Sequence, residues 1–143
     1  MDLNQALGHL QKTLGSGPFV PDRDGRVRVA FADGLELFLI PAARGHAVAE
    51  VPLKPLPTAQ GPREERLRSL LGRALAMMKS TEEVLALDEA QGRPVVWRRL
   101  ELPEMTPAVL EEAVARLLDR AEWLAGEAAP VVARPAGPML FFP

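Results

Sequence analysis

Hydrophobic residues in this chain recur first at helical spacing, then at every second position, then at helical spacing again, and the switch happens once more before residue 127. A period near 3.6 buries one stripe only as a helix, and a period of two buries one face only as a strand. Strands that come in blocks between helices, rather than alternating one for one with them, lead to an α+β fold with an antiparallel sheet. With 143 residues, the chain suits one domain whose core needs no metal or disulfide.

Leu3, Ala6, Leu7, Leu10 and Leu14 predict an amphipathic helix over 2–14, stopped by Gly15-Ser16-Gly17-Pro18. Arg26 to Phe31 alternates, with Val27, Val29 and Phe31 on one face, and the turn dipeptides Asp24-Gly25 and Asp33-Gly34 flank it. Leu35 to Ile40 is apolar on both faces except at Glu36, which predicts a central strand, and His46 to Val51 completes an antiparallel meander. A stiff, proline-rich connector occupies 52–62. The spacing predicts a second helix over 63–79, with Leu67, Leu70, Leu71, Ala74, Leu75 and Met78 as its stripe. Ser80 with Glu83 has the form of a capping box, yet Val84 to Leu87, a turn over Asp88 to Gly92, and Val95 to Leu102 predict a β-hairpin. Thr106 as N-cap and Pro107 at the first position open a last helix, with Leu110, Ala113, Val114, Leu117, Leu118, Ala121 and Leu124 as its stripe and Gly126 at its end. The expected organisation is one domain over 1–127 and a proline-rich tail over 128–143 that contains Met139-Leu140-Phe141-Phe142.

The chemistry that the chain lacks narrows its function. It has no cysteine, which removes thiol nucleophiles, thiolate metal sites and disulfides together. Its histidines, His9 and His46, have no ligand or triad partner at local spacing and read as surface residues. The pairs Glu64-Glu65, Glu82-Glu83 and Glu111-Glu112 are expected on exposed faces, and helix neighbours point about 100° apart. No catalytic residue, metal or cofactor is therefore expected, and no enzyme; a site gathering His46 with Glu36 or Glu50 is the reading that would reverse this. A net charge of −2 and 5% aromatic residues speak against nucleic acid. No apolar run reaches the roughly 20 residues that would insert in a bilayer. The N-terminus carries no signal-peptide pattern, so a cytoplasmic location is expected. Segment 61–79 holds five basic and two acidic residues, read as a solvated helix face, with binding of an anionic surface through Arg63, Arg66, Arg68 and Arg73 as the lesser alternative.

The element order, together with Asp24-Gly25 leading to Phe31, Leu85-Ala86-Leu87-Asp88-Glu89-Ala90-Gln91-Gly92 before the last strand, Arg98 and Arg99 in that strand, and Leu117-Leu118-Asp119-Arg120-Ala121-Glu122-Trp123 in the last helix, resembles the class I chaperones of type III secretion, the CesT/SycE-like family. The resemblance covers roughly residues 1–127. It implies a cytosolic bacterial homodimer without nucleotide hydrolysis that serves virulence. Its client would be the N-terminal region of a secreted effector, held extended and partly unfolded through β-augmentation and apolar grooves, and the secretion-system ATPase would be a further partner. It places the dimer interface on the second helix and last strands, at Leu67, Leu71, Leu75, Met78 and Trp97. It places client binding on the first helix and first strands, at Leu7, Leu10, Val27, Val29, Phe31 and Phe38. Every one of these positions also suits a monomer core, because a stripe does not state what it packs against. Met77 and Met78 stand out, since methionine adapts to varied surfaces. The other reading is a divergent domain of the same fold, a regulatory or adaptor module with the tail as its docking segment.

Overall fold

The computed structural model describes residues 1–14, 19–31, 34–78 and 82–126. The elements follow in the expected α+β order: α1 (Leu3–Leu14), β1 (Val27–Ala30), β2 (Glu36–Pro41), β3 (Ala47–Pro52), α2 (Gln60–Met77), β4 (Val84–Asp88), β5 (Arg93–Leu100) and α3 (Pro107–Ala125). The strands form one antiparallel sheet in the order β1-β2-β3-β5-β4. The proposed helix stop at 15–18, Asp33 of the second turn dipeptide, Ser80 of the capping box and the tail from 127 onward lie outside the described residues.

Local chemistry sets the turns. Asp22 Oδ1 accepts from the backbone N–H of Asp24 at 2.9 Å and of Arg26 at 3.0 Å, and Gly25 adopts a φ of 80° that a side chain would resist. Across the hairpin from β4 to β5, Asp88 Oδ1 accepts from the N–H of Ala90 at 3.1 Å and of Gln91 at 3.3 Å. The α3 helix starts where its cap predicts: Thr106 Oγ1 accepts from Val109 N–H at 3.2 Å, with Pro107 in the first turn. Replacing Thr106 by alanine is expected to cost about 1 kcal/mol, seen as a drop of roughly 3 °C in thermal denaturation. Thr106→Ser should restore most of it.

One strand parity and all three helices share a single core. Val27 and Val29 of β1, Leu37 and Leu39 of β2, Ala47, Ala49 and Val51 of β3, and Val96 and Leu100 of β5 are buried together with Ala6 and Leu10 of α1, Leu70 and Met77 of α2, and the α3 stripe. The helices therefore cover one face of the sheet. The small residues Ala47 and Ala49 in the central strand leave room for α3 to lie close above it.

Three sequence readings change here. The α2 helix begins at Gln60, three residues before the expected start. Pro62 is tolerated because its missing N–H falls in the first turn, where no intrahelical acceptor exists. The connector before it is not featureless: Leu53 and Leu56 are buried, Leu53 N–H donates to Pro94 O at 2.9 Å, and Leu56 N–H donates to Gly92 O at 3.0 Å. It forms a strap tied to the start of β5.

The basic side of α2, in turn, is largely internal in its purpose. Arg66 Nη2 donates to the carbonyls of Leu124 at 3.2 Å and Ala125 at 3.4 Å. Arg73 donates to the carbonyl of Trp123 and lies 5.5 Å from the centroid of its ring. Arg63 reaches the carbonyl of Pro57 at 3.4 Å. Two cations thus satisfy the orphan carbonyls and the negative dipole end of α3, which gives Arg66 and Arg73 a structural role in place of a purely solvated one. Burial, and then the adjacent Arg66 guanidinium, lower the Arg73 pKa, though the group remains charged.

Candidate functional site

The face of the sheet away from the helices carries Phe38 and Ile40 of β2, Val48 of β3, Val95 and Trp97 of β5, and Val84 and Ala86 of β4. A furrow runs across it. One part, of about 410 Å³, is lined by Val48, Ala86, Leu87, Val95 and Trp97 with Glu50 and Asp88 at its rim. The other, of about 850 Å³, shares Val48 and Trp97 and continues past Val84 to Met105 and Val109. It opens there because β4 pairs with β5 only from Arg93 to Trp97, so Arg98 to Leu100 have no partner strand on that side. The rim carries more acidic than basic residues: Glu50, Glu82, Asp88, Glu101 and Glu104 against Arg98 and Arg99.

The rim is organised by a buried carboxylate. The Glu83 side chain is fully buried, with Arg98 Nη1 at 3.3 Å and Arg120 Nε at 3.9 Å, and Arg98 also pairs with Glu82. The expectation that Glu82 and Glu83 sit together on an exposed face is corrected at Glu83. In an extended chain neighbouring residues point to opposite sides, and Glu83 turns inward to the guanidinium of the next strand.

The second apolar surface is on α2. Leu71, Leu75 and Met78 form one row at i, i+4 and i+7, and they are 57%, 68% and 69% exposed. The core is reached from another side of the helix, through Leu70 and Met77, with Leu67 partly buried. The single stripe read from the sequence is thus two apolar sides, only one of which the monomer covers. Trp97, grouped with these leucines by the resemblance, lies in the furrow on the opposite face of the sheet.

The residues nominated for a client are also divided. Leu10, Val27 and Val29 are 2%, 1% and 1% exposed and belong to the core, so their side chains offer no surface to a partner in this fold. Burying one such leucine or valine contributes about 1.5–3 kcal/mol, which is their role here. Leu7 and Phe31 are partly buried beside them and keep some surface. Phe38 faces the other way. The Arg26 guanidinium lies 4.8 Å from its ring centroid and 3.4 Å from Glu50, so the ring is already stacked. Among the described residues no strand lies beyond β1 or β4, the two sheet edges, and a single antiparallel bridge joins Pro21 to Val27 of β1.

His46, Glu36 and Glu50 do not meet. His46 Nδ1 accepts from Arg99 Nε at 3.0 Å, while Glu36 pairs with Arg28 and Glu50 with Arg26. Four residues of strand separate His46 from Glu50, about 13 Å. His9 is less free than a surface histidine: its Nε2 is 3.1 Å from Glu111 Oε2, joining α1 to α3. No helix among the described residues is long and apolar enough to cross a membrane.

Comparison with known proteins agrees with this architecture. The model of the Tir chaperone protein (CesT) family matches residues 5–125. No curated protein sequence matches. Among solved structures, a chain of the HopA1–SchA chaperone–effector complex is 20% identical with a TM-score of 0.66, covering 85% of this chain and 91% of that one. A chain of the ExsC–ExsE complex has the same identity, 20%, and TM-score, 0.66, covering 87% and 95%. A chain of the heterodimeric ExoU–SpcU complex from the type III secretion system of Pseudomonas aeruginosa is 20% identical with a TM-score of 0.61, covering 86% and 94%.

Proposed function

The chain belongs to the Tir chaperone protein (CesT) family, whose members bind effectors and are not enzymes, and we propose that it is a homodimeric chaperone for the N-terminal region of a type III secreted effector. The observation that carries this reading is the pair of complementary apolar surfaces left open by the monomer. The Leu71, Leu75 and Met78 row is convex and sits on a helix with excess positive charge, while the Trp97 furrow is concave with an acidic rim. Two copies related by a two-fold axis can each seat the row in the other's furrow, so that one contact is made twice. This makes Leu67, Leu71, Leu75, Met78 and Trp97 two halves of one interface.

The client then has the β1 side of the molecule. A segment of effector held extended along that edge would have its backbone groups satisfied by β1 and its apolar side chains received by Leu7 and Phe31, and on the reverse face by Phe38 once Arg26 swings aside. Because an extended client forms no core of its own, it would stay partly unfolded and fit for export, with release left to another machine such as the secretion ATPase. A cytoplasmic site of action follows from this role.

The test is a tagged pull-down from the native host in secretion-inducing conditions, with mass spectrometry and light scattering of the eluate. Two copies of this chain on one larger protein, held by a fragment from that protein's N-terminal region, is the expected result. A dimer with no client would favour the adaptor module instead, and a monomer would overturn the proposal.

A further inference from the structure

A second groove, of about 510 Å³, lies at the C-terminal end of α3, away from the Trp97 furrow. Leu35, Leu53 and Ala125 supply its apolar lining, between the start of β2, the proline strap and the end of the helix. Lys54, Arg66 and Arg93 on its rim outnumber Glu36 and Glu122 by one positive charge.

The last described residue after α3, Gly126, stands in the wall of this groove. Gly126, which itself lines it, has turned to extended backbone at φ −62° and ψ 126° while its N–H still donates to Glu122 O at 3.0 Å. Arg66 and Arg73 hold the carbonyls of the last helical turn, so the exit direction is anchored from α2. The residues that follow are Glu127-Ala128-Ala129-Pro130-Val131-Val132-Ala133. They carry one charge, of the sign the rim favours, then small residues that let backbone approach closely, then two β-branched apolar ones. Seven extended residues span up to about 23 Å, enough to cross the groove's mouth without a detour.

We propose that residues 127–133 of the same chain are the occupant of this groove, with Glu127 at the basic rim and Val131 or Val132 on the lining between Leu35 and Leu53. The segment closes a seam between α3, the strap and β2. It leaves the Trp97 furrow and the α2 row open, so the root of the tail acts as part of the fold and does not compete with a second copy or a client.

The chain has no cysteine, which makes paired cysteines a clean probe in the full-length protein. Disulfide closure requires the two Cα atoms within about 7 Å, so Lys54→Cys is combined in turn with Val131→Cys and Val132→Cys. At least one pair should close within a single chain about ten-fold faster than Lys12→Cys with Val131→Cys, which joins the tail to α1. Equal rates overturn the proposal, and so does a product linked between two chains. An independent reading compares amide resonances of the wild-type chain with Val131→Asp/Val132→Asp. Changes at Leu35, Leu53 and Lys54 are expected. Changes confined to the tail itself, or appearing at Val84 and Trp97, would show that the groove is not its seat.

Discussion

Replacing Leu71 and Leu75 together by aspartate should leave a folded monomer. Both side chains are mostly in water in the monomer, so their loss should move its stability by no more than about 0.5 kcal/mol each. In a two-fold interface the same substitutions occur twice and place four carboxylates opposite Glu82, Glu101 and Glu104. A buried leucine anchor is worth about 2 kcal/mol at such a contact, and the four lost in each dimer correspond to a dissociation constant raised about a millionfold, before the like-charge repulsion is added. Sedimentation velocity over a concentration series reads the change, and circular dichroism confirms the fold. A double variant that remains dimeric at micromolar concentration would remove α2 from the interface. The matching change in the furrow, Trp97→Ala, should weaken the dimer in the same direction, and combining it with the Leu71 change should be less than additive, because the two residues are on opposite sides of one contact.

The largest effect on stability is expected at Glu83. Its carboxylate is enclosed between Arg98 and Arg120, and Arg98 is only 11% exposed, so it cannot turn into water when the partner is removed. Glu83→Ala should therefore cost about 3 kcal/mol, since it takes the buried partner from a largely buried guanidinium and leaves it only the exposed Glu82, and should lower the denaturation midpoint by roughly 10 °C. Glu83→Gln keeps an acceptor for Arg98 and should lose clearly less. Replacing the acid and Arg98 together by apolar residues should recover part of the loss, as the desolvation of both charges disappears with them. A Glu83→Ala protein within 0.5 kcal/mol of wild type would mean that water enters and solvates Arg98. The same substitution should loosen the furrow, whose rim is held by Arg98, so dimer affinity should fall even below the unfolding transition.

The two predictions concern residues of very different legibility. Leu71 and Leu75 were visible in the sequence as apolar positions, but so was Leu70, and nothing in the spacing separates the leucine that fills the core from those that face outward. Leu10, Val27 and Val29 are the reverse case: nominated for a partner through family likeness, they are consumed by the packing of α1 on the sheet. Glu83 gave no signal of this role: with Ser80 it has the form of a capping box, and a carboxylate beside another carboxylate reads as a solvated pair. Its meaning depends on Arg98, fifteen residues away, and Arg120 on α3. Leu53 and Leu56 were hidden by the prolines around them, which announce a connector and mask two core side chains.

The succession of elements and their class are written locally: the period of apolar residues, the Asp-Gly turns, and Thr106-Pro107 at the head of α3 each act within a few residues of themselves. The family likeness followed from that succession. Which side of α2 is covered, where the arginines of that helix find their acceptors, and whether a nominated residue is core or surface were decided only by the tertiary structure. Burial and ion pairing are relations between segments far apart in the chain, and a stripe records that a surface is apolar without recording what comes to lie against it.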